Sequence, residues 1–184
     1  MKRRKAMGLT ATILGGTIIG TELLLSGCTD GAERRTSFSE SDIVLLDELG
    51  ETILPATEGS PGAKAAKVGA FIKNIVNDCY SKKERGTFLK GMGEFEQSVK
   101  ETYSKGFLEL DRVQRHELVV KLDKEAESIN DGIDTQFYPI VKILVIEGYF
   151  TSEPGLTGAL RYNPTPGKYI GCVPYIEGEG YIGG

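Results

Sequence analysis

The chain has 184 residues, the size of one ordinary domain, and 40% of them are hydrophobic, which is enough for one core. Its 26 acidic and 22 basic residues give a net charge of −4. This length argues against a two-domain enzyme with its own nucleotide-binding fold. A single histidine excludes a multi-histidine metal site, and three scattered cysteines cannot supply an iron–sulfur cluster or a four-ligand zinc site.

Residues 1–27 have the pattern of a signal peptide. Residues 2–5 are Lys-Arg-Arg-Lys, and residues 6–21 are uncharged and either small or apolar. This run of 16 residues is shorter than the roughly 20 that a membrane-spanning helix needs, and Glu22 would be costly inside a bilayer. A spanning helix is therefore the weaker interpretation, and the segment predicts export.

Two motifs in this segment indicate the route of export. Leu25-Ser26-Gly27-Cys28 resembles the lipobox of bacterial lipoproteins, in which the cysteine becomes the lipidated first residue of the mature chain. Arg3 and Arg4 resemble a twin-arginine signal, but the aromatic residue that often follows such a pair is absent, so the general secretory route stays open. We predict an exported protein, anchored to a bacterial membrane through Cys28 and facing the periplasm.

The mature chain is acidic. Removing residues 1–27, which hold four basic residues and one acidic residue, leaves 18 basic and 25 acidic residues and a net charge of −7. Such a surface repels nucleic acid and shows no basic stripe, so we exclude nucleic-acid binding. Residues 28–38 are polar and lack periodicity, which predicts a tether between the lipid and a single domain at residues 39–184.

The domain begins with two predicted amphipathic helices. The first starts near Ser39 or Ser41 and ends at Leu54, because the proline that follows disfavours a helical residue before it. The second begins at Ser60-Pro61, an N-cap followed by proline at the first helical position. Its apolar residues recur at three- and four-residue steps, and this face includes Cys79.

Three further helices follow. The third opens with a capping box at Ser81 and stops at Gly106. The fourth runs from about 111 to 128, with Val113 among its apolar positions. The fifth, near 134–148, is almost entirely apolar, so we expect it at the centre of the bundle. The predicted fold class is all-α, a small bundle of about five helices.

The C-terminal tail, residues 149–184, is rich in glycine, proline and tyrosine and has no helical period. A long irregular segment is usually functional or disordered, and the tyrosines argue against disorder. We therefore expect the tail to pack on the bundle or on a partner. The candidate partner contacts, which could equally pack on the chain's own helices, are Tyr149, Phe150, Tyr162, Tyr169 and Tyr175. Glu153 is a further candidate, as a turn cap or as a contact to a basic group of the partner.

After lipidation of Cys28 two cysteines remain, Cys79 and Cys172. In an oxidising compartment they form a natural pair, and a disulfide would fasten the tail to the second helix. Cys79 could equally be a free hydrophobic thiol on a buried helix face.

The chain lacks the motifs of catalytic or cofactor-binding proteins. No Gly-x-Gly-x-x-Gly run follows a predicted strand, no Cys-x-x-Cys-His binds haem, and no Gly-x-Ser-x-Gly places a nucleophile. His116 lies between two charged residues, which favours a solvated or capping role over a catalytic one. We expect no cofactor in this chain and no catalysis by the chain alone.

Several segments together are similar to the signature of the gluconate 2-dehydrogenase subunit 3 family. The similarity covers nearly all of residues 40–176, and its most specific part lies in the tail. The segments that carry it are 53–57, 61–64, 148–153, 159–162 and 164–174, together with Val68, Phe71 and Ile72.

This resemblance implies a small, all-helical, non-catalytic subunit of a bacterial dehydrogenase complex outside the cytoplasm. The implied partner is a large flavoprotein with FAD that oxidises a sugar or sugar acid, and electrons often pass to a c-type cytochrome. The implied role is to help the flavoprotein mature and cross the membrane. Two rival hypotheses are a stand-alone lipoprotein that binds a ligand between its helices and the tail, and an enzyme of unrecognised type.

Overall fold

A computed structural model describes residues 37–128 and 137–160, together with positions 162, 167, 172 and 174. The signal peptide with Arg3 and Arg4, the lipidation site Cys28, and the tail residues Tyr169 and Tyr175 lie outside the described residues. The predictions made for them stay predictions.

The described residues form five α-helices and no strand, which confirms the all-α prediction. The helices are α1 (Glu40–Ile53), α2 (Val68–Asp78), α3 (Lys82–Tyr103), α4 (Arg112–Ser128) and α5 (Phe137–Phe150). A short 3₁₀ turn, Phe107–Glu109, precedes α4, and a π turn, Gly155–Ala159, follows α5.

Helix α5 lies at the centre of the bundle, as its apolar sequence predicts. It packs against each of the other four helices. Val141 and Val145 are fully buried on it, and they join one core with Leu46 and Leu49 of α1 and Met92 of α3. Burial of this continuous apolar surface is the main favourable term in the folding of the domain.

The capping residues of α1 and α3 are those that the sequence indicates. Ser39 accepts the N–H of Asp42 at 3.2 Å, and the Asp42 carboxylate accepts the N–H of Ser39 at 2.8 Å. Ser81 and Glu84 form the same reciprocal pair at the start of α3. Helix α3 ends earlier than predicted, because Ser104, rather than Gly106, adopts the left-handed conformation at its C-cap, with a φ of 55°.

The predicted start of the second helix is wrong. Residues 63–67 form turns, and α2 begins only at Val68. The side chain of Ser60 contacts the hydroxyl of Tyr149 and caps no helix. The segment from Pro61 to Lys67 instead follows a path set by contacts with α1 and α5, which are described below.

The predicted apolar face of the fourth helix is only partly correct. Leu118 and Val119 are buried, but Val113 is 66% exposed. The inward position of the first turn belongs to Arg115, whose guanidinium lies 5.3 Å from the centroid of the Phe107 ring. An arginine at a core-facing position was not expected from the apolar spacing.

Candidate functional site

Two of the segments that carry the family resemblance, 61–64 and 148–153, meet in the folded chain. The hydroxyl of Tyr149, at the end of α5, donates to the carbonyl oxygen of Pro61 at 2.5 Å and also contacts the Ser60 hydroxyl. Tyr149 is 4% exposed, so its side chain belongs to the chain's own core, one of the two alternatives considered for it. A contact between residues 88 positions apart therefore joins the loop after α1 to the start of the tail.

The first part of the tail is ordered into a compact turn. Ser152 caps this turn, because its hydroxyl accepts the N–H of Gly155 at 3.2 Å and donates to the carbonyl of Tyr149 at 2.6 Å. Gly155 is buried against the same carbonyl, and Gly158 lies against the ring of Pro61. Glu153 is exposed and contributes only its carbonyl, which accepts the hydroxyl of Thr157.

Helix α5 carries a row of apolar side chains that the bundle does not fully cover. Ile143 and Ile146 are 42% and 39% exposed, and Phe150, which is half-buried and packs against the core, follows one turn later along the helix. We call these three residues the α5 row. Tyr162, beyond the π turn, is 39% exposed. Single exposed apolar side chains are ordinary, but consecutive ones on one helix face are typical of interaction surfaces.

A groove of about 620 Å³ lies between the end of α1, the following loop and the start of α4. We call it the polar groove, since charged side chains from α1, the loop and α4 line much of it. Its lining residues are Glu48, Glu51, Thr52, Pro55, Ala56, Pro61, Gly62, Lys64, Ala65, Arg112, Arg115 and His116. The sequence does not reveal this groove, because one wall comes from residues 48–65 and the other from residues 112–116, far apart in the chain.

Glu48 is the electrostatic centre of the polar groove. Its carboxylate pairs with Lys64 and accepts a hydrogen bond from Arg115 at 2.7 Å. The hydrogen bond from Lys64 and then that from Arg115 outweigh burial and lower the pKa of Glu48 from its ordinary value of 4.5. Arg115 also donates to the carbonyls of Phe107 at 3.2 Å and Leu108 at 2.8 Å, so each of its three side-chain nitrogens makes a hydrogen bond.

Glu51 holds the loop that forms one wall of the polar groove. Its two carboxylate oxygens accept the backbone N–H groups of Ala56 and Lys64, each at 2.9 Å. Gly62 passes so close that an added Cβ would collide with this carboxylate. The loop is therefore fastened to α1 by Glu51 on one side and to α5 by Tyr149 on the other.

Arg112 and His116 lie one turn apart on α4, and both line the polar groove. Both residues are exposed. Within the described ranges, neither side chain takes part in a hydrogen bond or an ion pair with another residue. Their side chains are the basic groups of the groove that are left for a ligand.

A second polar cluster joins α4 to α5. Asp123 accepts hydrogen bonds from the Tyr138 hydroxyl at 2.8 Å and from Lys142 at 2.6 Å. Burial opposes ionisation of Asp123, but these two hydrogen bonds prevail and its pKa lies below the usual range. Burial, together with the neighbouring carboxylate, raises the pKa of Tyr138. With each group satisfied by the others, the cluster stabilises helix packing.

The cysteines lie on the surface. Cys79 is the C-cap of α2 and is exposed, so its predicted place on the buried helix face is wrong. Cys172 is exposed as well, and both are free thiols in the structure. The disulfide between them stays a prediction.

The described residues contain no group of three or more histidine, cysteine, aspartate or glutamate side chains that could hold a metal ion. Within the same residues, no helix combines the length and the hydropathy that a bilayer span requires.

These features define a small all-helical protein with a mixed-charge groove and an exposed apolar row. Residues 40–167, more than half of the chain, match the family model described as gluconate 2-dehydrogenase subunit 3, and the chain belongs to this family. By its name, the family is that of an accessory subunit of a multi-subunit dehydrogenase. No curated protein and no solved structure is significantly similar to the chain.

Proposed function

We propose that the chain is the non-catalytic small subunit of a membrane-associated, flavin-dependent sugar or sugar-acid dehydrogenase. A large flavoprotein partner carries FAD and performs the oxidation, and electrons pass to a c-type cytochrome. The chain stabilises the flavoprotein and assists its maturation and export. A lipid at Cys28 holds the complex at the membrane.

The observation that carries this proposal beyond the family name is the α5 row. An accessory subunit acts by binding, so it needs an apolar surface that its own fold leaves uncovered. Ile143 and Ile146 provide such a surface on the central helix, directly before the tail that resembles the family signature. The exposed Tyr162 and Glu153 extend this region along the chain.

A mild-detergent purification of the chain from native membranes tests the proposal. We expect a large partner in stoichiometric amount, identified by mass spectrometry, and the visible absorbance of a flavin. A monomer without flavin would contradict the proposed function. It would favour the stand-alone lipoprotein, for which the polar groove, with a volume in the range of small-molecule sites, is the candidate ligand site.

Replacing Ile143 by aspartate should weaken partner binding. A charge in the centre of an apolar contact stays unpaired and desolvated, so we expect roughly a tenfold lower recovery of the flavoprotein. Val44→Asp is the matched control, because Val44 is 48% exposed on α1, outside the α5 row, and should leave recovery unchanged. Equal losses from both variants would argue against the α5 row as the interface.

Replacing Arg3 and Arg4 by lysine tests assisted export. If the pair is a twin-arginine signal that carries the folded flavoprotein along, the variant should leave dehydrogenase activity in the cytoplasm. Fractionation of the cells, with the assay run on each fraction, measures this. Normal export of the activity would speak against the assisted route, while leaving the binding experiment valid.

A further inference from the structure

The carboxylates of the polar groove are already engaged. Glu48 pairs with both Lys64 and Arg115, Glu51 and Asp47 add negative charge near Lys64, and both oxygens of Glu51 accept backbone N–H groups. A ligand therefore gains little from Lys64 or Arg115, whose charges are compensated. An added cation would have to compete with two ion pairs for Glu48, so the groove does not favour a cationic ligand.

The side chains of Arg112 and His116, in contrast to Lys64 and Arg115, have no carboxylate partner among the described residues. They line the groove one turn apart, are exposed, and make no ion pair among the described residues. On a chain with a net charge of −4, they form a local region that attracts anions. A guanidinium recognises a carboxylate through two parallel hydrogen bonds, and an imidazole adds a third donor.

Two exposed apolar residues lie close to these donors along the chain, although neither is among the residues that line the groove. Val113, next to Arg112, is 66% exposed, the largest exposed fraction among the large hydrophobic residues that the structure describes. Leu108, in the 3₁₀ turn before α4, is 42% exposed. Charged donors beside exposed apolar groups match a polypeptide better than a small anion, because a polypeptide supplies both kinds of side chain.

We propose that the polar groove docks an acidic segment of the partner subunit. Arg112 and His116 bind its carboxylates, and Val113 and Leu108 contact the apolar side chains next to them. The proposal rests on the proposed function for the existence of the partner. It adds a second, electrostatic contact, distinct in residues and chemistry from the α5 row.

A peptide titration tests the groove without the flavoprotein. The probe is a capped tetrapeptide with the sequence leucine, aspartate, glutamate, leucine, and its control has asparagine and glutamine in the middle. The chain has a single histidine, so the proton resonance of the His116 ring reports on the groove without overlap. We expect a saturable shift with the acidic peptide, roughly tenfold weaker binding of the control, and loss of the shift in Arg112→Glu. Equal responses to both peptides, or no response, would overturn the proposal.

Charge reversal tests the same site in the complex. Arg112→Glu and Lys121→Glu change the net charge equally and lie on the same helix, but only Arg112 lines the groove. We expect Arg112→Glu to lower flavoprotein recovery several-fold and Lys121→Glu to leave it unchanged. Equal recovery with both variants would count against the site. If the wild-type chain recovers no flavoprotein, the proposed function fails. The peptide titration alone then tests whether the polar groove binds an acidic segment.

Discussion

Replacing Glu48 by glutamine is expected to lower the free energy of unfolding by about 2 kcal/mol, because it leaves Arg115 charged and without its anionic partner. The side chain of Arg115 is only 15% exposed and that of Glu48 19%, so water replaces little of the lost interaction. Urea unfolding at neutral pH, followed by circular dichroism, measures the change.

Glu48→Gln should also remove the part of the pH dependence of stability that comes from ionisation of Glu48. Since the pKa of Glu48 is lower in the folded chain than its ordinary value of 4.5, its contribution to stability is complete above that value and is lost as the pH falls through the lowered pKa. The difference between wild type and Glu48→Gln should therefore shrink in acid. A difference that stays constant as the pH falls would contradict the role of the ionised carboxylate.

Glu94→Gln is the matched control for this prediction. Glu94 pairs with Lys90 on α3, but the two side chains are 60% and 74% exposed. Exposed pairs of this kind contribute about 0–1 kcal/mol. The free energy of unfolding of Glu94→Gln should therefore lie within about 0.5 kcal/mol of the wild-type value. A loss as large as that of Glu48→Gln would show that the chemistry of the substitution, and not the groove, is responsible.

Replacing Gly155 by alanine is expected to cost about 2–3 kcal/mol, because the added Cβ would collide with the carbonyl of Tyr149. This obstacle is backbone at the end of α5 and cannot rotate away as a side chain can. The turn must move, which strains the hydrogen bonds of Ser152 and the contact of Tyr149 with Pro61. Urea unfolding and amide hydrogen exchange over residues 149–160 would register the change.

Gly86→Ala provides the control, since it makes the same chemical change where nothing lies within 4 Å of the new Cβ. Gly86 is an exposed interior residue of α3, and alanine is the better helix former there. The control should raise stability by about 0.5–1 kcal/mol. Destabilisation by both variants, or by neither, would be inconsistent with a specific obstacle at Gly155.

The helices could be predicted wherever local rules decide them. Ser39 and Ser81 cap α1 and α3 by hydrogen bonds with residues three positions away, so each capping box lies within one helical turn. The apolar composition of α5 was sufficient to place it at the centre of the bundle. The start of α2 could not be predicted, because Ser60 contacts Tyr149, 89 residues later, and Glu51 holds the intervening loop.

The amino-acid sequence alone predicted the all-α class, most of the helices, the central helix and the family to which the chain belongs. Which polar residues face inward and which apolar residues stay exposed became apparent only in the folded chain. The Arg115 side chain is mostly buried because Glu48 and two backbone carbonyls accept its hydrogen bonds, while Val113, two residues earlier on the same helix, is exposed. The polar groove exists only because residues 48–65 and 112–116 come together, and local periodicity contains no information about such long-range pairing.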